Sequence, residues 1–130
     1  MKKYLIHIIT LSIVMVLATF ALQWFNTGYF LAILPLMVLF ITILTGGLHC
    51  VIVSNMKKDL RQSIRNFFMM TIGTMIVHFA VIFFYALTHM NTVEAAHNAK
   101  VFILVYCIYF FVYLIFETFE LIHFVKSQKQ

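Results

Sequence analysis

The chain has 130 residues, 64% of them hydrophobic and 10% charged, with nine Lys and Arg against four Asp and Glu and a net charge of +5. Once apolar runs long enough to cross a bilayer are set aside, only three short loops and two tails remain, which leaves little of these 130 residues for a soluble domain. The positive charge requires no nucleic-acid partner, because its distribution along the chain is accounted for by membrane topology.

The first apolar run covers residues 4–24. Met1-Lys2-Lys3 ahead of it resembles the start of a signal peptide, but the run is long enough to span and ends in Gln23-Trp24, an interfacial anchor, so it is expected to stay as a helix. Asn26-Thr27-Gly28 supplies turn chemistry for a short connection. The second run, 29–53, carries Pro35 near its start, where a local kink is expected. At ~100° per residue, Thr42, Thr45, Gly46 and His49 fall on one face of this helix.

A basic loop, 54–66, follows with Lys57, Lys58, Asp59, Arg61 and Arg65. In the third run, 67–87, Thr71, Thr74, His78 and Tyr85 share a face. A polar loop is expected over 89–99, and the fourth run is 101–125. Trp24, Phe25, Tyr29 and Tyr85 stand where interfacial aromatics belong. Cys50 and Cys107 are isolated within apolar runs, and are read as small packing residues without a disulfide or metal role.

Of the nine Lys and Arg residues, only Lys100 lies on the side of a four-span arrangement opposite the termini. This asymmetry predicts both termini and the 54–66 loop in the cytoplasm. The fold class is therefore all-α integral membrane, one domain of four transmembrane helices arranged as two antiparallel hairpins. The basic loop is also placed to meet anionic lipid or an acidic protein surface.

The least expected residues are Glu117 and Glu120, deep in the fourth run. A charge at the bilayer centre is unfavourable by roughly 2.5–3.5 kcal/mol on insertion scales, so such residues face a bundle interior, a partner or an aqueous cavity. They form one stripe with Tyr106, Tyr109 and Tyr113. Depth along the helices puts Glu117, Glu120, His123, His49 and His7 in the cytoplasmic half, with His78 near the middle.

Three readings of the acids follow: carboxyls bonded to Tyr, Thr or His across the bundle or reaching the cytoplasmic headgroups, a contact with another membrane protein, or a site handling protons or cations; separately, a bundle with several His permits a haem held by His49 with His7 or His123. Glu120-Leu121-Ile122-His123 has the Glu-x-x-His spacing of di-iron bundles, but a single copy lacks the second motif and the extra carboxylates such a site needs. No metal or other cofactor is expected. Enzyme chemistry has no support either. Gly46-Gly47 matches no nucleotide fingerprint, and no loop is long enough to shape a substrate pocket.

Four stretches carry a resemblance: Leu34-Pro35-Leu36, Thr42-Ile43-Leu44-Thr45 running on to His49, Arg65-Asn66-Phe67-Phe68-Met69-Met70-Thr71, and Tyr113-Leu114-Ile115-Phe116-Glu117-Thr118-Phe119-Glu120. Over the whole chain they resemble the four-span members of the small ATP synthase protein I family. The resemblance implies an accessory role in the bacterial inner membrane, assembling the ring of c subunits or acting beside the ion-translocating sector. It assigns no residue a role. Unlike the family, this chain has no cationic residue in its third span, where His78 is the only ionisable group, which favours assembly over cation transport.

The expected partners are membrane lipid and the c or a subunits of the synthase. Glu117, Glu120 and Tyr113, with Lys57, Lys58, Arg61 and Arg65, are the candidate partner-binding residues. Thr42, Thr45, His49, Thr71, Thr74 and His78 form the candidate polar seam.

Overall fold

The computed structural model describes residues 2–25, 31–56, 60–89 and 93–127, with the side chains of 55, 56, 60–64 and 89 outside that description. The described residues form four helices: α1 (Lys2–Phe25), α2 (Leu34–Met56), α3 (Leu60–His89) and α4 (Val93–Ser127). All four are long and apolar enough to cross a membrane.

The helices outrun the apolar stretches that identify them. Residues 60–66 and 93–99 are helical, which corrects the expectation of loops over 54–66 and 89–99. Neither stretch contains Gly or Pro, and Glu94 with Ala95 and Ala96 suits a helix start. At ~1.5 Å per residue, α3 and α4 are roughly 45 and 52 Å long, well beyond a hydrocarbon core of ~30 Å. Apolar composition therefore marks the part of a helix suited to lipid, and the helix continues past it.

Pro35 is the second residue of α2. Helix N–H groups at that position have no intrahelical acceptor, so the ring interrupts no bond there. Backbone bonds from Leu34 N–H to the Leu31 carbonyl and from Met37 N–H to the Ile33 carbonyl continue smoothly into the helix. The expected turn at 26–28 lies outside the described residues, as do Tyr29, Lys57 and Lys58.

Helix α2 packs against each of the other three, and α3 also packs against α4. One core joins Tyr4, Ile8 and Met15 of α1, Leu34, Val38 and Ile41 of α2, and Val101 through Tyr113 of α4. A smaller cluster at one end holds Ile52 and Val53 of α2 and Leu121 of α4, with Phe67 of α3 packed on it. The start of α1, the end of α2, the start of α3 and the end of α4 thus share one end of the bundle, here called the terminal end.

Burial is uneven. In the apolar window of α4, 39% of residues are buried inside the bundle, against 6% for α3. In lipid, apolar contact between helices gains little over contact with acyl chains, so close packing and hydrogen bonds must select the arrangement. Those bonds are concentrated on α1, α2 and α4.

Candidate functional site

Glu117 is 2% exposed, and its two carboxyl oxygens are bonded to two other helices. The Tyr4 hydroxyl of α1 donates to Oε2 at 2.9 Å. Nδ1 of His49, from α2, lies 2.8 Å from Oε1. The same Tyr4 hydroxyl is 3.4 Å from the Thr45 carbonyl oxygen. Buried carboxylates need this arrangement, because an unpartnered charge in a medium of low dielectric is strongly unfavourable.

Glu120 lies three residues further along α4, toward the terminal end. Its Oε1 is 2.7 Å from Nδ1 of His7, and the two side chains are 20% and 55% exposed. Two carboxyl–imidazole pairs are therefore stacked about one helical turn apart, one buried and one at the rim. The core pair takes its imidazole from α2 and the rim pair takes its imidazole from α1.

Further along the bundle the hydroxyls continue the series. Tyr113 OH is 2.8 Å from Thr42 Oγ1, whose own proton goes to the Val38 carbonyl at 2.7 Å. Ser12 of α1 lies 3.1 Å from the same Thr42 oxygen. Tyr109 bonds Thr19, which donates to the Met15 carbonyl at 2.7 Å. On the other side, His78 Nδ1 of α3 is 2.6 Å from Tyr106 OH, with its ring beside Phe110 and perpendicular to that of Phe40. Tyr85 stacks on Phe102.

The candidate seam residues therefore meet inside the bundle to different degrees. Thr42 and His49 bond α4 directly, and Thr45 contributes its backbone carbonyl. Of the three candidate seam residues on α3, His78 hydrogen-bonds across to Tyr106 of α4. Thr74 donates to the Thr71 carbonyl of its own helix, and the Thr71 hydroxyl is buried with no partner among the described residues. Among the candidate partner-binding residues, Glu117 and Tyr113 are turned inward and buried. Glu120 reaches the rim and Arg65 is exposed, while Lys57, Lys58 and the side chain of Arg61 lie outside the described residues.

Sequence reasoning missed the seam of α1. Tyr4, Ser12 and Thr19 are buried together with Ile8 and Met15, at steps of four, four, three and four residues. That spacing is visible in the sequence, but two of its three polar members are small hydroxyls that disappear in a strongly apolar run.

His7 and His49 are each paired with a different carboxylate, and His123 is exposed. Among the described residues no three His, Cys, Asp or Glu side chains gather as a metal-binding group. Cys50 is exposed and Cys107 partly buried, both as free thiols.

What the arrangement can do chemically is hold protons in a defined place. A carboxyl and an imidazole in contact share one exchangeable proton, and a phenol clamps the second carboxyl oxygen. Comparison with protein-family profiles, with curated proteins and with solved structures finds no match to this chain.

Proposed function

We propose that this chain is a non-catalytic accessory or assembly factor of the membrane sector of a bacterial ATP synthase. It is read as an inner-membrane protein of two antiparallel hairpins with both termini in the cytoplasm, on the distribution of its Lys and Arg residues. The partner class comes from the sequence resemblance.

The observation that carries the accessory reading is the contrast between helices. The intramembrane acids and their histidines are satisfied within the chain, whereas α3 presents Phe68, Met69, Ile72, Ile76, Phe79, Phe83 and Phe84 outward. A helix so little covered by its own chain is available to another membrane protein's helices, and aromatic and Met side chains suit such contacts. Glu117 and Tyr113 then shape the bundle, and contact with the partner falls to the outer face of α3, to Glu120 and to the basic segment of Lys57, Lys58, Arg61 and Arg65.

The test is purification of a tagged chain from native membranes in mild detergent. The reading expects c or a subunits of the synthase to be recovered, and recovery to fall when Lys57, Lys58, Arg61 and Arg65 are changed together to Gln. Recovery of neither subunit contradicts it.

A further inference from the structure

We propose that the seam between α2, α3 and α4 is a one-sided proton-access path that enters at the terminal end, passes Glu117 and stops at His78. The proposal concerns the bundle interior and is independent of what binds its outer face.

A cavity of about 20 Å³ lies where the three helices meet. Its polar walls are Thr45, Thr71, Thr74, His78, Tyr113 and Glu117. One water needs about 10–15 Å³ of such space and two to four polar partners, and this cavity offers both.

Thr71 supplies an independent sign. Several threonines inside these helices satisfy their hydroxyls on their own backbone. Thr10, Thr19, Thr42 and Thr118 donate to the carbonyl four residues back, and Thr74 donates to the one three residues back. Thr71 does neither; its buried hydroxyl has no partner among the described residues, and Thr71 lines the cavity. A buried hydroxyl that forgoes the bond available on its own helix requires another partner, and one water in the cavity supplies it.

The path can be followed group by group. His7, half exposed at the rim, touches Glu120. Glu117 lies one turn deeper on the same helix face. Glu117 and His78 line the same cavity, so the proposed path crosses it between them, and His78 bonds Tyr106. At each hop an O–H or N–H bond forms on the acceptor as the donor's breaks, so no other reactant is needed.

Tyr4 from α1 and His49 from α2 bond Glu117, His78 from α3 and Tyr113 from α4 line the same cavity, Glu120 with its partner His7 lies three residues along α4, and Cys50 of α2 lies near Tyr4. Beyond Tyr106 the fully buried side chains are apolar among the described residues, with Tyr85 partly buried beside them. Leu34 and Phe102 are fully buried there, and Phe102 is stacked between Tyr85 and Tyr106. That layer closes the path before the opposite end.

The test uses the full chain in lipid nanodiscs with labelled histidines, and follows exchange of the His78 ring proton with solvent by NMR. Exchange is expected in the wild type and in Thr71→Ser, which keeps the hydroxyl. In Thr71→Val, which keeps the shape, it should slow by about tenfold or more, the order expected for loss of one bridging hydrogen bond, with His7 unchanged. No exchange at His78 in the wild type, or equal exchange in Thr71→Val and wild type, overturns the path. The one-sided claim is read in proteoliposomes under a pH gradient. Dissipation no faster than in protein-free vesicles supports it, and faster dissipation overturns it.

Discussion

The ring of Tyr4 lies on the imidazole of His49, with centroids 3.4 Å apart and planes 5° from parallel, while both side chains bond the same carboxyl group of Glu117. One contact set thus joins α1, α2 and α4 by stacking and by hydrogen bonds. Hydrogen bonds between membrane helices are worth roughly 0.6–2 kcal/mol each, and apolar packing discriminates weakly against lipid, so this set has a large share in choosing the helix arrangement.

Tyr4→Phe keeps the stack and removes the hydroxyl bond to Glu117. Its expected effect is a loss of about 0.5–1.5 kcal/mol of stability, and Tyr4→Leu, which removes the stack as well, should lose more. Reversible unfolding in mixed micelles followed by circular dichroism measures both. Equal stability of Tyr4→Phe and wild type contradicts the bond.

The two carboxyl–imidazole pairs should differ in strength because they differ in burial. A double-mutant cycle on His49 and Glu117 is expected to show a coupling of roughly 1–3 kcal/mol. A cycle on His7 and Glu120, with His7 55% exposed, should show about 1 kcal/mol or less. A rim pair that couples as strongly as the buried pair contradicts the assigned depths.

Gly46 is where α2 passes α1, and a Cβ built there meets only Ile8 Cδ1, at 3.8 Å. Ordinary contact replaces open space. Gly46→Ala should therefore be neutral or stabilising by up to about 1 kcal/mol, through the lower backbone entropy of the unfolded chain. A fall in the thermal midpoint on this substitution shows a closer approach of α1 than described.

Topology can be read by labelling. In a Cys50→Ala, Cys107→Ala background, Ser127→Cys should be blocked by reagents that reach only the cytoplasmic side, and His97→Cys by impermeant reagents applied outside. Labelling of both from one side contradicts a four-span arrangement with cytoplasmic termini.

The presence of four helices was legible because each apolar run is long enough to cross lipid, but their ends were not, since Leu60 through Asn66 and Val93 through Ala99 are helical without being apolar. The α4 stripe was legible because Tyr106, Tyr109, Tyr113 and Glu117 are conspicuous against their neighbours and recur at helical spacing. Its partners were not. Glu117 meets Tyr4 across 113 residues and His49 across 68, and spacing within one helix says nothing about which helix it faces. Thr71, Thr74 and His78 share a face as the spacing indicates, yet they differ in what they bond: Thr74 uses its own backbone, His78 reaches Tyr106, and the Thr71 hydroxyl has no partner among the described residues.

The most direct test of the account asks which face of the bundle meets the synthase. A photo-crosslinking residue at Phe79, on the exposed face of α3, should yield an adduct with a c or a subunit in native membranes, whereas one at Tyr113, buried against Thr42, should yield none. Adducts from Tyr113 and none from Phe79 would show that the partner enters the polar seam and that the bundle described here opens in the membrane.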